Sequence, residues 1–253
     1  MKYQKELVVF KKEKLNPACF LLELKSEEPL CEILPGQFVN ILVKGVAERL
    51  LRRPISIHDV DYKTNIISLV VQKAGLATEK LSLINEGDKL DVVFPLGNSF
   101  PTEENHPLLI GGGVGTAPLY YLAKTYYNKG IKPTVLIGAR TEDQLFLIDK
   151  YKTVADVYFS TEDGSIGEKG LVTTNSIMNG SFSAILTCGP TPMMKSVADV
   201  AAKKQIPCFV SLENRMACGI GACLCCVTDT KSEGNVCVCT NGAVFDSKEL
   251  CNM

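Results

Sequence analysis

The chain has 253 residues and a net charge of −1, from 27 basic and 28 acidic side chains, which excludes the strongly basic surface typical of nucleic-acid binding. Its eleven cysteines and polar start favour a reducing cytoplasm and metal ligation over a secreted disulfide scaffold. The uncharged stretch 107–123 contains four glycines and two prolines and is too short for a membrane helix, so we expect no membrane segment.

The first hundred residues predict an antiparallel β-barrel. Short apolar or alternating runs separated by turn residues are typical of closely spaced strands. These runs are residues 7–10, 18–22, 38–43, 66–71 and 89–93, and one short helical stretch at about 78–83 interrupts them. We therefore expect a barrel domain of residues 1–100.

From about residue 101 the pattern changes to alternating apolar strands and helices. Strands are expected at 108–110, 134–138, 154–159, 184–187 and 207–210, with helical segments between them such as 117–128 and 193–204. This alternation predicts a doubly wound parallel sheet. The second domain is expected to span residues 101–210, which leaves 211–253 as a small C-terminal module.

Three short segments offer groups that suit nucleotide cofactors. Arg53-Pro54-Ile55-Ser56, in the barrel, provides a guanidinium for a phosphate and a hydroxyl for a flavin ring atom. Gly111 to Thr116, a glycine-rich run, follows a strand and opens a helix, where backbone N–H groups meet a pyrophosphate. It lacks the lysine of a nucleoside-triphosphate loop.

The third segment, Cys188-Gly189-Pro190, ends another parallel strand, where ligands of such sheets bind. Taken singly, each of the three segments is equally compatible with an ordinary tight turn or a solvated edge.

The C-terminal module carries cysteines spaced C-x4-C-x2-C-x12-C at Cys218, Cys223, Cys226 and Cys239. This is the spacing of a plant-type [2Fe–2S] site with a distant fourth cysteine. Small residues between the first two thiols let the chain wrap closely and aim N–H groups at sulfur, and glycine tolerates the positive φ that such a wrap needs.

Two alternatives to this assignment stay open on spacing alone. Four-thiolate zinc sites also use C-x2-C, although usually as two such pairs, and a zinc-stabilised nucleotide-binding regulator would follow from that interpretation. Cys225 and Cys237 are also available, and Cys237 would share a strand face with Cys239. The identity of the fourth ligand is therefore undecided by spacing.

Together, the three cofactor segments and their order resemble the ferredoxin reductase family over about residues 5–205. The stretches 213–223 and 238–245 narrow this resemblance, so that the whole chain looks like an electron-transfer subunit of type B dihydroorotate dehydrogenase. This resemblance implies an N-terminal FAD-binding barrel, a central NAD-binding sheet and a C-terminal [2Fe–2S] module. It also implies Cys239 as the fourth ligand.

The same resemblance implies the cofactor contacts. For FAD these are Arg53, Pro54, Ile55, Ser56, Val70, Val71, Gln72, Ala77 and Thr78. Ala77-Thr78 stands where the family usually has Gly-Thr. For NAD the implied contacts are Gly112, Gly113, Gly115, Thr116, Cys188, Gly189 and Pro190, with 161–164 nearby. Glu162 and Asp163 would repel a 2′-phosphate, which favours NAD over NADP, or they form a solvated turn.

The function implied is electron transfer, in de novo pyrimidine biosynthesis, from an FMN-containing catalytic subunit through [2Fe–2S] and FAD to NAD+. No catalytic side chain is expected, because hydride exchange with nicotinamide needs no base. We expect a cytoplasmic heterotetramer of two copies of each subunit, with Glu213, Asn214, Arg215 and Met216 as candidate docking residues. The alternative is an NAD(P)H-linked reductase subunit of another complex, such as a sulfhydrogenase.

Overall fold

A computed structural model describes residues 2–45 and 51–251. The outer bounds of the predicted domains, residues 1 and 253, lie outside this range. The N-terminal part is a closed antiparallel barrel with strand order β1-β2-β5-β4-β3-β6. Its strands are β1 (Tyr3–Lys14), β2 (Cys19–Lys25), β3 (Phe38–Ile41), β4 (Arg53–Asp61), β5 (Ile66–Gln72) and β6 (Lys89–Leu96), with helix α1 (Leu76–Ser82) before β6.

The barrel forms because every second side chain along its strands is apolar and points inward. Leu22 and Leu24 of β2, and Val39 and Ile41 of β3, belong to one buried core. The intervening residues of β3, Phe38 and Asn40, are buried as well, so β3 is covered on its outer face too. That outer cover is the C-terminal module.

The central part is a mainly parallel sheet whose strand order is β10-β9-β8-β7-β11-β12-β15. Its strands are β7 (Pro107–Gly112), β8 (Thr134–Ala139), β9 (Asp156–Thr161), β10 (Glu168–Lys169), β11 (Ala184–Cys188) and β12 (Cys208–Ser211). The next strands in the chain, β8, β9 and β10, lie on one side of β7, whereas β11 and β12 lie on the other. The loops after β7 and β11 therefore face each other at the switch point, where such sheets bind ligands.

Helices cover both faces of this sheet, as a doubly wound fold requires. On one face α2 (Ala117–Asn128) and α3 (Ile148–Lys152) pack through residues such as Leu122 and Tyr151, and on the other α4 (Thr191–Lys203) packs through Val197. Short 3-10 turns lie at Gly113–Thr116, Glu142–Gln144, Val172–Thr174, Ser176–Asn179 and Ser247–Glu249. The predicted fold class, a barrel followed by an α/β sheet, is confirmed.

The C-terminal segment touches both of the preceding parts. It contains the hairpin β13 (Val227–Thr230) and β14 (Gly234–Cys237), helix α5 (Val238–Asn241) and strand β15 (Val244–Asp246). Strand β15 pairs antiparallel with β12 and so completes the central sheet. The segment's residues Met216, Cys226, Cys237, Val238, Cys239 and Ala243 pack on Phe38, Val93 and Leu96 of the barrel.

Across the described residues, no helix is long and apolar enough to cross a membrane.

Candidate functional site

A cleft of about 190 Å³ lies between the barrel and the carboxyl edge of the central sheet. Most of the residues predicted for FAD line it, and so do three segments of the sheet edge. The lining residues are Arg53, Pro54, Ile55, Ser56, Val70, Gln72, Ala74, Thr78, Val114, Gly115, Ala117, Pro118, Cys188 and Glu213. The structure therefore brings the two predicted nucleotide regions to one place.

Strand β4 places its cofactor segment at the barrel rim. Pro54 pairs with Asn40 and Ser56 pairs with Phe38 across the β3–β4 ladder. Opposite residues of an antiparallel pair share a face, so Pro54 and Ser56 lie on the outer face of the barrel. Ile55 packs against the barrel interior and also reaches the cleft.

Two of the predicted FAD residues do not present their side chains to the cleft. Val71 is fully buried in the barrel core, and Ala77 belongs to the same core. The Thr78 hydroxyl is held by the turn before α1, because it accepts from Ala74 N (2.9 Å) and donates to Gly75 O (3.0 Å). Strand alternation was the available signal, since it puts Val70 and Gln72 on the face opposite to Val71.

The glycine-rich loop after β7 touches the loop after β11 so closely that no side chain fits between them. A Cβ on Gly115 would lie 2.5 Å from Gly189 Cα and 2.6 Å from Cys188 O. A Cβ on Gly112 would lie 2.4 Å from Met193 Sδ. The four predicted glycines of these loops therefore offer backbone rather than side chains, which is the form of site that admits a pyrophosphate.

Two further features of this loop fit a dinucleotide. The Thr116 hydroxyl is buried and has no hydrogen-bond partner among the described residues. Gly113 has a φ of +54° and open space where a Cβ would be. It borders a second cleft of about 410 Å³, reaching Arg140, that shares Gln72 and Val114 with the first.

The buried Cys188 and the exposed Glu213 both line the first cleft. Burial, with a smaller effect of the nearby Glu213 carboxylate, raises the pKa of the Cys188 thiol to about 12, so Cys188 is a neutral thiol. Sequence reasoning placed Glu213 on a docking face. The structure places it in the cleft, and no pattern in the sequence marks this, because Glu213 is one acid in an irregular segment.

The loop from Cys218 to Cys226 wraps its first sulfur in backbone N–H groups. The amides of Ile220 and Cys223 each donate to Cys218 Sγ at 3.4 Å. These donors, the Ile220 amide first, lower the pKa of Cys218 to about 6. Gly219 and Gly221 have φ values of +72° and +87°, the left-handed geometry that the wrap was expected to need.

The four predicted ligands come together as two pairs. The thiols of Cys218 and Cys223 lie beside each other, and the Cys226 thiol lies beside those of both Cys239 and Cys237. Within residues 2–45 and 51–251, no three potential ligands converge on a single metal ion. Two thiol pairs suit the two irons of a [2Fe–2S] cluster, whereas one tetrahedral zinc would need all four sulfurs around one centre.

Cys239 and Cys237 both lie near this centre. Burial and the Cys226 thiol raise the pKa of Cys239, while the backbone amide of Gly221, in the Cys218–Cys226 loop, lowers it. The Cys239 amide also donates to Cys226 Sγ at 3.4 Å. Burial and the Cys226 thiol raise the pKa of Cys237 as well, but no backbone amide of the Cys218–Cys226 loop lowers it.

The remaining candidate docking residues have mixed exposure. Met216 is buried, and Asn214 is partly buried with its amide directed at the carbonyls of Cys226 and Val227. Arg215 is exposed. The large apolar side chains that the cluster loop exposes are instead Ile220 and Leu224, at 55% and 65%.

Comparisons with known proteins identify both nucleotide and metal regions. Residues 213–251 match the model of the iron-sulfur cluster binding domain of dihydroorotate dehydrogenase B, and residues 109–199 match the oxidoreductase NAD-binding domain. The solved NADH-dependent reduced ferredoxin-NADP oxidoreductase, studied for flavin-based electron bifurcation, superposes with a TM-score of 0.87 at 33% identity, over 96% of this chain and 89% of that one. The predicted cofactors FAD, [2Fe–2S] and NAD are confirmed.

Curated relatives cover most of the chain. The electron transfer subunit of dihydroorotate dehydrogenase B (NAD(+)) from Fusobacterium nucleatum is 39% identical over 85% of this chain and 86% of its own length. The Lysinibacillus sphaericus subunit is 36% identical over 96% of both chains. These relatives confirm the predicted NAD-linked electron-transfer function and do not favour the sulfhydrogenase alternative. The chain belongs to the family of electron transfer subunits of dihydroorotate dehydrogenase B.

Proposed function

We propose that this subunit conducts electrons from an FMN-containing dihydroorotate dehydrogenase catalytic subunit, through [2Fe–2S] and FAD, to NAD+ in de novo pyrimidine biosynthesis. One observation carries the proposal: the first cleft touches the dinucleotide loops at Gly115 and Cys188 and ends at Glu213, five residues before Cys218. A flavin exchanges electron pairs with nicotinamide and single electrons with a cluster, so its place is between them.

The barrel supplies the flavin site in this proposal. Arg53 and Ser56 reach the cleft with a guanidinium and a hydroxyl, while Pro54, Ile55 and Val70 give it an apolar wall. Gln72 and Thr78 stand at its outer end. Val71 and Ala77 contribute through backbone only, because their side chains fill the barrel core.

The switch point of the central sheet supplies the nicotinamide site. Gly113 and Gly115 lie in the turn that opens α2, where backbone N–H groups can meet a pyrophosphate, Gly112 precedes this turn, and the buried Thr116 hydroxyl has no partner among the described residues. Beside the flavin, the site is closed by Cys188, Gly189 and Pro190, with Cys188 as a buried, neutral thiol. The exposed Glu162 and Asp163 at the end of β9 support NAD over NADP.

Cys218, Cys223, Cys226 and Cys239 are the proposed cluster ligands. The proximity of Cys218 to Cys223 and of Cys226 to Cys239 supports a site with two irons. The Gly221 amide, which lowers the pKa of Cys239, supports Cys239 over Cys237 as the fourth ligand. The three predicted domains, 1–100, 101–210 and 211–253, follow this division of labour, although β15 also completes the central sheet.

The catalytic partner is proposed to dock on the cluster loop, where Ile220 and Leu224 expose apolar side chains beside the cluster ligands. Two copies of each subunit are proposed to form a heterotetramer. The cytoplasmic location stays a prediction, supported by eleven free cysteines.

The experiment is to copurify this chain with a dihydroorotate dehydrogenase catalytic subunit and analyse its cofactors. We expect FMN, FAD and two iron atoms per pair, and an electron paramagnetic resonance (EPR) signal of the reduced cluster when dihydroorotate is added anaerobically. The Cys218→Ser variant should keep FAD and lose iron. A pair that contains iron but no FAD would overturn the proposal.

A further inference from the structure

Asn40 is a buried carboxamide without a partner. It is fully buried on β3, and neither its Nδ2 nor its Oδ1 makes a hydrogen bond with any described residue. A buried polar group without a hydrogen-bond partner lowers the stability of the fold. The carboxamide of Asn40 therefore suggests a partner that does not belong to the protein chain.

The side chain of Asn40 points at the cluster loop. A Cβ on Gly219 would lie 2.6 Å from Asn40 Nδ2, so the carboxamide occupies the space that only a glycine leaves open after Cys218. Gly219 is itself buried and has a φ of +72°. The turn that follows the first proposed ligand is therefore shaped around this carboxamide.

The same side chain adjoins the flavin strand. Asn40 pairs with Pro54 of β4 on one side and with Val93 of β6 on the other, so it shares the outer face with Pro54, which lines the cleft. Its neighbours in this buried wall, Phe38, Val93 and Leu96, are apolar. Asn40 is thus a polar group set into an apolar partition between the two cofactor sites.

We propose that Asn40 is a positioning residue of the iron–sulfur centre, and that its carboxamide N–H donates to a sulfur of the cluster at the Cys218–Gly219 turn. Hydrogen bonds to sulfur are among the determinants of cluster potentials, since they stabilise the extra negative charge of the reduced state. Asn40 therefore raises the reduction potential of the cluster and favours its reduction. This inference rests on the proposed ligand set.

The test is an anaerobic redox titration of the purified holoprotein, with the cluster followed by EPR and FAD by absorbance. Asn40→Leu replaces the carboxamide with an apolar group of similar size. We expect it to keep two irons and FAD, and to shift the equilibrium of cluster reduction about tenfold toward the oxidised form, which is ~59 mV for one electron. The EPR g-values should shift, while the FAD potential stays.

The matched control is Leu96→Val. Leu96 Cδ1 would lie 3.3 Å from the same Cβ position on Gly219, so this variant loosens the same turn without touching a donor. The proposal would be overturned if the reduction potential of the cluster in Asn40→Leu equalled that in the wild type or in Leu96→Val, or if only the FAD potential shifted. Loss of iron in Cys218→Ser separately tests the ligand set, so failure of the two ideas can be told apart.

If Asn40→Leu is isolated without iron, wild-type protein decides the question. Pulsed EPR of the reduced cluster in protein carrying ¹⁵N-labelled asparagine carboxamides should detect a coupled side-chain nitrogen. Asn214→Gln removes a second labelled carboxamide that lies beside a proposed ligand, through its contact with Cys226 O, and should not remove this coupling. Absence of the coupling would contradict the proposal.

Discussion

At the scale of single residues, the two candidate fourth ligands differ in their surroundings rather than in their burial. Cys237 and Cys239 are both buried and both lie near Cys226. Both thiols lie beside that of Cys226, but only at Cys239 does the Gly221 amide of the Cys218–Cys226 loop lower the pKa. A thiolate ligand needs donors that stabilise its charge, which favours Cys239.

The two cysteines therefore predict opposite results on replacement by serine. We expect Cys239→Ser to lose most of its iron and its visible cluster absorption. Cys237→Ser should keep two irons, since the Cys237 thiol makes no contact with a loop amide. Iron and acid-labile sulfide assays of anaerobically purified protein measure both. Iron loss in Cys237→Ser with retention in Cys239→Ser would reverse the assignment.

The sequence predicted the chemical character of the site better than the orientation of its side chains. Arg53 and Ser56 were expected near FAD and Cys188 near NAD, and all three line the cleft. Val71 and Ala77 point into the barrel, which an argument from motif resemblance does not address. Asn40 was not predicted at all, because a single asparagine in an apolar strand carries no pattern, and its role emerges only from the distant Gly219.

At the scale of elements, strands with apolar runs were predictable and those without were not. The helix expected at 117–128 is α2 as observed, because its apolar residues recur at the helical period. Strand β4 was not among the expected strands, since Arg53, Pro54, His58 and two aspartates interrupt its apolar pattern. Strand β15 has three residues and depends on β12, which lies more than thirty residues away.

In the glycine-rich loop, the effect of a steric clash at Gly115 can be tested separately from the effect of backbone strain. Gly115→Ala would place a methyl group 2.5 Å from Gly189 Cα, so the loops after β7 and β11 must separate. We expect about 1–3 kcal/mol of destabilisation. NADH affinity should fall about tenfold or more, because both loops form the site. Thermal unfolding and NADH titration measure the two effects.

The control for this prediction is Gly130→Ala. Gly130 has a φ of +82° but no atom within 4 Å of a Cβ, so alanine there adds backbone strain without a clash. It should cost about 1–2 kcal/mol of stability and leave NADH affinity unchanged. Equal losses of NADH affinity in both variants would mean that the contact between the two loops does not shape the site.

At the scale of the whole molecule, the proposed cofactor sites follow one another in space. The dinucleotide loops and the barrel share one cleft, Asn40 and its apolar neighbours separate that cleft from the cluster loop, and the loop itself reaches the surface. This order was expected from the chemistry of the cofactors. The contact of the C-terminal module with both the barrel and the sheet was not expected. A sequence pattern shows which face of an element is apolar, but not which distant face packs against it.

The exposed end of this line predicts where the partner binds. Leu224 is 65% exposed beside Cys223 and Cys225, and a buried apolar side chain contributes about 1.5–3 kcal/mol when it leaves water. We expect Leu224→Lys to weaken association with the catalytic subunit roughly tenfold to a hundredfold. Leu83→Lys, at the end of α1, changes an equally exposed leucine (76%) of the barrel and should leave association unchanged. Light scattering after size exclusion should show a mass of two copies of each subunit for wild type and Leu83→Lys, and free subunits for Leu224→Lys that retain iron and FAD. An intact tetramer in Leu224→Lys at concentrations near the dissociation constant would place the partner elsewhere.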